Sequence, residues 1–251
     1  MMPEGDPSAF TKVMYGCTAD EVSEIVLMTP IDEFFKSFKE RSQVLKEMTG
    51  FNRGYNADVD GARVTVLDSR IGSPLASDCT YYLRFTPCKK LIFTGLIGAL
   101  QPYIRVGDII IPIAAVRGEG ASRYFVEDAY PAVADFGLTR ALASTLEEVF
   151  TGSDIKFYFG PIYTTDSFAA ETLEFLEHWK SKNLFGIEME TSTIYTLATL
   201  YGIQATSVHI VSDNPVTAKT FFHTLSDEDR ERREKCAGLL LESLYKLVTR
   251  I

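Results

Sequence analysis

Three carboxylates in the last third of the chain have the types and the spacing to do chemistry. Glu188 and Glu190 stand two residues apart, so on an extended segment both side chains leave one face and Met189 leaves the other. Asp213 follows a run of apolar residues at 208–211. Carboxylates accept hydrogen bonds and, once burial raises their pKa, donate protons. These residues are therefore candidates for ligand binding and for acid–base chemistry.

The segment that carries these carboxylates predicts a strand, a helix and a second strand. Apolar residues recur with helical spacing over residues 194–201, and Gly202 ends that helix. Residues 208–211 then form a buried strand. Ligands in open α/β sheets gather outside the carboxyl ends of the strands. Glu190 and Asp213 both fall at such ends, which is where a carboxylate can act on a ligand.

The rest of the chain alternates between strands and helices. A first strand is predicted over residues 25–28, followed by a helix that buries side chains as far as Met48. Residues 51–60 are polar and rich in turn formers, and residues 1–14 are expected to form a loose arm. The alternation predicts an α/β fold with a largely parallel sheet of roughly six to eight strands. Because no repeat or low-complexity segment marks a boundary, we expect a single domain over residues 1–251.

The composition excludes several classes of protein. The formal net charge is −9 and the pI is near 5.0, which argues against a nucleic-acid footprint. No apolar run reaches the roughly 18 residues that a membrane span needs, and the polar, acidic N-terminus is unlike a signal peptide. The four cysteines are scattered without a Cys-x-x-Cys spacing. We therefore expect reduced thiols, no metal site and a cytoplasmic location.

Several motifs, in a fixed order, make the chain similar to a known family. They are GALQPYIRVGDIIIP (98–112), EGASRYF (119–125), YPAVADF (130–136), TTDSF (164–168), GIEMET (186–191) and VSDNP (211–215). From about residue 22 to its C-terminus, the chain resembles the nucleoside phosphorylase family. That family includes uridine phosphorylase, hexameric purine nucleoside phosphorylase and the adenine-nucleoside and AMP nucleosidases.

The resemblance implies a three-layer α/β/α fold around a mixed, partly barrel-like sheet. It also implies a homo-oligomer, either a dimer or a hexamer built as a trimer of dimers, with the active site near a subunit interface. The partners would be a small-molecule nucleoside and phosphate, with no nucleic acid and no membrane. Phosphate would be a co-substrate, and no other cofactor is expected. A role in nucleoside salvage follows from the same resemblance.

For the sugar, the resemblance assigns Glu190 to the ribose 2′- and 3′-hydroxyls and Met189 to packing against the ribose. Glu188, on the same face, is a further candidate for substrate binding. The chemistry agrees, because a carboxylate has enough lone pairs to accept both hydroxyl protons. Cleavage of an N-glycosidic bond also builds positive charge on the ribosyl carbon, as in glycosidases, and a nearby carboxylate stabilises that charge.

For the base, the resemblance assigns Asp213 as the acid that faces purine N7 and Phe168 as the stacking aromatic. An aspartate needs a raised pKa to donate a proton at neutral pH. Gly95 opens a glycine turn after a strand and is a candidate for backbone contact with the substrate, although a plain tight turn also fits it. Uridine-cleaving members carry a Gln and an Arg where this chain has Thr172 and Glu174. That difference favours a purine base.

The phosphate site departs from the family pattern. Family phosphorylases have a Pro-Gly-Asp-Pro motif followed by an Arg, and the corresponding residues 28–34 lack both the Gly and the Arg and end in Phe34. A second family Arg is replaced by Phe93, and a neighbouring hydroxyl residue by Leu96. A phosphate dianion needs donors such as guanidinium groups. Any phosphate must therefore be held by other side chains.

Three hypotheses follow for the function. In the first, which we favour, Arg70 binds phosphate together with Lys46 or Arg53 of a neighbouring subunit, and the protein cleaves purine nucleosides to free base and ribose 1-phosphate. In the second, water replaces phosphate, as in the nucleosidases, with Glu33 as the residue that activates it. If the substrate were AMP, Arg70 would bind its 5′-phosphate. In the third, the protein binds purine nucleosides or nucleotides without cleaving them.

Overall fold

The structure of the protein is a computed structural model that describes residues 7–217, residue 220 and residues 225–251. A nine-stranded sheet forms its centre. The strands are β1 (Ile25–Thr29), β2 (Gln43–Thr49), β3 (Arg53–Val59), β4 (Ala62–Asp68), β5 (Lys90–Ala99), β6 (Ile109–Arg117), β7 (Phe157–Thr164), β8 (Gly186–Glu188) and β9 (Gln204–Asp213). The α-helices are α1 (Pro7–Tyr15), α2 (Asp32–Glu40), α3 (Ser73–Leu83), α4 (Phe136–Val149), α5 (Leu173–Lys180), α6 (Thr191–Leu200) and α7 (Asp227–Val248).

Part of the sheet closes on itself. The order along the sheet is β2-β3-β4-β1-β5-β8-β7-β6-β9, and β9 pairs a second time with β5. Strands β5, β8, β7, β6 and β9 therefore form a ring, and β1, β4, β3 and β2 extend from it as an open sheet. The sheet combines parallel pairs, such as β1 with β5, and antiparallel pairs, such as β3 with β4. This arrangement agrees with the expected mixed, partly barrel-like sheet.

The layers follow from side-chain alternation along the strands. In β1, Val26 and Met28 pack on one side with side chains of α1, α3 and α6. Ile25 and Leu27 leave the opposite face and pack with side chains of α2, α4 and α7. Because successive side chains of a strand leave opposite faces, one apolar strand supplies both cores. The result is a sheet between two layers of helices.

The hairpin β2–β3 differs from the sequence prediction. The helical pattern expected as far as Met48 ends at Glu40, and the segment expected to be a polar loop at 51–60 contains β3. β2 lies at the edge of the sheet and is largely exposed, with Met48 its one fully buried side chain. Few apolar residues therefore mark it as a strand. With this hairpin the sheet has nine strands rather than six to eight.

The expected loose arm is wrong for residues 7–14, which lie in α1. Thr11 and Met14 are buried, and Phe10 stacks on Phe85. The hydroxyl of Tyr15, at the end of the helix, donates to the carbonyl of Cys79 in α3 at 2.5 Å. These contacts give α1 an apolar face that belongs to the core. Residues 1–6 lie outside the described residues.

None of the helices in the described part of the chain has the length and apolar character needed to cross a bilayer.

Candidate active site

A cavity of about 530 Å³ lies where β8 and β9 end and where the chain leaves β1 and β7. It is lined by Pro30, Ile31, Ile71, Leu96, Ile97, Gly98, Phe168, Ala169, Glu171, Leu173, Leu176, Ile187, Glu188, Met189, Glu190, Ser212, Asp213, Pro215 and Thr220. Five of the residues singled out in the sequence therefore share one cavity: Glu188, Met189, Glu190, Phe168 and Asp213. The strand–helix–strand pattern brings the two acidic segments together because β8 and β9 both pair with β5.

Glu188 is held in place by the start of α6. One of its carboxylate oxygens accepts hydrogen bonds from the N–H of Glu190 at 2.8 Å and from both the N–H and the hydroxyl of Thr191 at 2.7 and 2.9 Å. The other accepts from the hydroxyl of Thr164 at 2.5 Å. Burial raises the pKa of Glu188, and these four hydrogen bonds oppose that shift by stabilising the ionised form. Glu188 therefore caps α6 and fixes the backbone that carries Glu190.

Glu190 is less constrained. One carboxylate oxygen accepts from the N–H of Gly72 at 2.6 Å, and the side chain is 5% exposed. Burial, and secondly the charge of Glu188, raise the pKa of Glu190 to about 8. Gly72 has φ 104°, a conformation that glycine adopts without strain and that leads the chain into α3. The ionised form of Glu190 therefore keeps acceptor capacity, as a site for ligand hydroxyls requires.

Asp213 ends β9 and lines the same cavity. The residue is 8% exposed, and its carboxylate accepts a hydrogen bond from the hydroxyl of Ser212 at 2.7 Å. Gly98 of β5 is close by, since a Cβ on it would lie 3.5 Å from a carboxylate oxygen of Asp213. A glycine at this point keeps the strand from covering the carboxylate.

The segment from Phe168 to Leu176 forms a further part of the cavity wall. The Phe168 ring is 54% exposed, and Leu173 and Leu176 add apolar surface. Glu171 is the one acidic side chain of this segment that lines the cavity. Burial, and secondly the charge of Asp213, raise its pKa to about 7. Glu171 could not be predicted as a site residue, because its segment has no periodic pattern and its place in the cavity depends on how that segment folds.

His209 is fully buried in β9, next to the start of α6. Its Nε2 lies 3.0 Å from the hydroxyl of Thr191, whose own proton goes to Glu188, so Nε2 carries the hydrogen. Burial lowers the pKa of His209 to about 3 and keeps the imidazole neutral. Its Nδ1 has no hydrogen-bond partner among the described residues. The imidazole thus holds the Thr191 hydroxyl that donates to Glu188.

Gly95 lies inside β5 rather than in a turn, because β5 continues to Ala99. It stands opposite His209 in the β5–β9 pair, and a Cβ there would be 3.4 Å from Nδ1 of the imidazole. Gly95 is not among the residues that line the cavity. Its lack of a side chain leaves room for the histidine ring.

The three candidate phosphate-binding cations lie away from the cavity lining in this chain. Arg70 turns towards the carbonyl of Phe51 at 3.3 Å and lies over the Phe51 ring. Lys46 pairs with Glu21. Arg53 pairs with Asp32 and, at 2.7 Å, with Asp68.

Among the described residues that line the cavity, none is Lys, Arg or His, and four are acidic. The end next to β1 is apolar and consists of Pro30, Ile31, Ile71 and Leu96. Phe93 is fully buried and makes a T-shaped contact with the His209 ring. A dianion at this end would lack the charged donors that phosphate requires.

Comparison with known proteins gives a consistent set of matches. A family model described as the phosphorylase superfamily matches residues 24–248. A guanosine phosphorylase of Halorubrum lacusprofundi is 32% identical over 192 residues, which cover 75% of this chain and 77% of that protein. A uridine phosphorylase of Thermococcus kodakarensis is 30% identical over 248 residues, which cover 92% and 84% of the two chains.

A solved structure supports the fold. The crystal structure of uridine phosphorylase from Vibrio fischeri matches with a TM-score of 0.77 and 25% identity, covering 93% of this chain and 96% of that one. The resemblance and the fold class predicted from the motifs are confirmed. The names of the relatives include both a guanosine and a uridine phosphorylase, so the choice of base needs its own argument.

Proposed function

Because this chain belongs to the phosphorylase superfamily, we propose that it cleaves the N-glycosidic bond of purine nucleosides, with phosphate as acceptor and free base and ribose 1-phosphate as products. The observation that carries the proposal is the pairing of two differently held carboxylates, Glu190 and Asp213, in one cavity with Phe168. The first suits the sugar and the second suits the base.

At the sugar end, ionised Glu190 accepts hydrogen bonds from the ribose 2′- and 3′-hydroxyls, and Met189 packs against the ring. As the C1′–N9 bond breaks, its electron pair leaves with N9 and positive charge develops on C1′. The charge of Glu190 stabilises that state. An oxygen of the acceptor then forms the new bond to C1′.

At the base end, Asp213 donates its proton to N7 and so neutralises the departing purine. Phe168 offers an exposed ring on which the base stacks. A purine is favoured because Thr172 and Glu174 stand where uridine-cleaving members carry the Gln and Arg that read uracil. A pyrimidine has no N7 for Asp213 to protonate.

Hydrolysis is the second candidate function. It is favoured because the end of the cavity next to β1, where the acceptor would bind, is apolar. The described residues that line the cavity also include no basic side chain. Phosphorolysis requires cations from elsewhere, and Arg70 of the same chain or Lys46 and Arg53 of a neighbouring subunit are the candidates. We therefore expect a homo-oligomer if phosphate is the acceptor, and light scattering would measure its size.

One assay separates these functions. Adenosine, inosine, guanosine and uridine are incubated with the protein, with and without phosphate, and base release is followed by chromatography. Purine release that requires phosphate and yields ribose 1-phosphate supports the proposal. Release of ribose without phosphate identifies a hydrolase. Calorimetric binding without release identifies a non-catalytic binder, and preferential release of uracil contradicts the choice of a purine.

The substitution Asp213→Asn tests the acid. We expect kcat to fall by about 10²- to 10⁴-fold, the usual contribution of a general acid, while binding of the free base changes little. Asp128→Asn is the control, since that side chain is 83% exposed and its contact with Arg123 is 3.4 Å long. Unchanged turnover in Asp213→Asn would remove Asp213 from the mechanism.

A further inference from the structure

Glu171 is a cavity residue that the mechanism above does not use. It follows a short 3₁₀ turn at Phe168–Ala170, and its N–H donates to the carbonyl of Phe168 at 3.2 Å. This turn places its side chain in the wall that also contains Phe168 and Leu173. The carboxyl makes no side-chain hydrogen bond to the described residues. It is a half-buried acid at the end of the cavity where the base is expected.

The shared cavity of Glu171 and Asp213 limits which group of a bound purine Glu171 can contact. The carboxyls of Glu171 and Asp213 line the same cavity. On a purine, N7 and the substituent at position 6 are adjacent on one edge. When N7 faces Asp213, position 6 is the next polar group along that edge, and Glu171 is the acid that lines the wall with Phe168.

We propose that Glu171 contacts the substituent at position 6 of the purine and determines which purine the site prefers. This inference rests on the proposed function, because it takes the base to lie with N7 at Asp213. Adenine presents an amino group at position 6, which donates, and 6-oxopurines present a carbonyl, which accepts. An ionised Glu171 accepts from the amino group and repels the carbonyl. A protonated Glu171 donates to the carbonyl.

The charge state of Glu171 is therefore the source of selectivity. Its pKa of about 7, raised by burial and by Asp213, allows both forms near neutral pH. The other titratable groups in the described lining are Asp213 from β9 and Glu188 and Glu190 from the end of β8. All are acids, so none stabilises the ionised form of Glu171. We expect preference for adenine to grow as the pH rises through about 7.

Calorimetric binding of free bases tests the inference without requiring turnover. The dissociation constants of adenine, hypoxanthine and guanine are measured between pH 6 and pH 8 for the intact protein, Glu171→Gln and Glu147→Gln. We expect the hypoxanthine-to-adenine ratio of dissociation constants to rise about tenfold across this range in the intact protein. In Glu171→Gln, whose amide both donates and accepts, the ratio should not change with pH. Glu147, an exposed residue of α4, should leave it as in the intact protein.

A ratio that changes with pH equally in Glu171→Gln overturns the inference. So does an effect confined to guanine against hypoxanthine, which differ at position 2, because it places Glu171 at another edge of the base. Failure of the intact protein to bind either base also overturns it. The proposed function fails separately, if purine nucleosides are not cleaved while the free bases still bind with a selectivity that depends on Glu171.

Discussion

Two glutamates two residues apart have different surroundings, and this difference separates their tasks. The carboxylate of Glu188 accepts four hydrogen bonds from protein donors, whereas that of Glu190 accepts from the N–H of Gly72. The donors around Glu188 leave little capacity for a ligand, so its role is to hold the start of α6. The acceptor capacity of ionised Glu190 makes it the residue on which sugar binding should depend.

Glu190→Gln should lower kcat/KM for the best nucleoside by about 10- to 100-fold, because hydrogen bonds to a charged acceptor are lost. In the native protein kcat/KM should rise as the pH increases through about 8, the pKa of Glu190, since only the ionised form accepts from both hydroxyls. The variant should lack this dependence. A pH–rate profile measures both effects, and a pH dependence that persists in Glu190→Gln would assign it to another group.

The same carboxyl affects stability. Its pKa is raised above the unfolded value near 4.5 to about 8 in the folded state, so the folded protein binds more protons between these values. Stability should therefore decrease as the pH rises from about 4.5 to about 8. Glu190→Gln should remove this loss and exceed the native protein in urea midpoint at pH 8 but not at pH 4.5. An equal difference at both pH values would contradict this ionisation effect.

Most residues of the candidate site could be predicted from patterns and motifs in the local sequence, but Glu171 could not. Met189, Glu190 and Asp213 stand at strand ends that the apolar pattern marks, and Phe168 belongs to a recognisable motif. Glu171 was missed because its place in the cavity results from the path of an irregular segment. Local order does not specify such a path.

At the level of elements, β8–α6–β9 was predicted because its apolar spacing is strong, whereas α1 and the β2–β3 hairpin were not. Both depend on close approach between segments. The N–H groups of Phe51 and Asn52, which follow β2, donate to the carbonyls of Val13 and Met14 in α1 at 2.9 and 2.8 Å. Gly50 lies at the crossing, where a Cβ would be 2.4 Å from the nitrogen of Gly16.

Gly50→Ala should therefore destabilise the protein by about 2–3 kcal/mol, because the added methyl group forces α1 away from the hairpin and breaks these hydrogen bonds. Gly238→Ala is the matched substitution, since that glycine lies in α7 with no atom within 4 Å of an added Cβ. It should stabilise the protein by up to about 1 kcal/mol. Urea denaturation measures both, and equal effects would contradict the close approach of α1.

At the scale of the whole molecule, the closure of the five-strand ring and the docking of α7 join parts distant in sequence. The pairing of β9 with both β5 and β6 could not be predicted from the apolar patterns, because they indicate strands but not their neighbours. The mixed sheet was expected only through the family resemblance. Long-range docking likewise rests on specific contacts, of which the buried pair of Arg232 and Asp108 is one.

Arg232 joins α7 to the two segments that precede β6 and β7. Its guanidinium group donates to the carboxylates of Asp108 and Asp154 and, at 3.1 Å, to the carbonyl of Val106. Asp108 is fully buried and also accepts from the N–H of Lys156 at 3.0 Å. Removal of the arginine would leave this carboxylate buried without its positive partner.

Arg232→Met should therefore lower the free energy of unfolding by about 3–5 kcal/mol, the usual cost of breaking a buried ion pair. Arg230→Met, on the same helix, provides the control because its contact with Asp227 is 3.5 Å long and both side chains are at least half exposed. That substitution should cost less than about 1 kcal/mol. Urea denaturation of the two variants measures the difference, and similar losses would show that α7 is held by its apolar face rather than by Arg232.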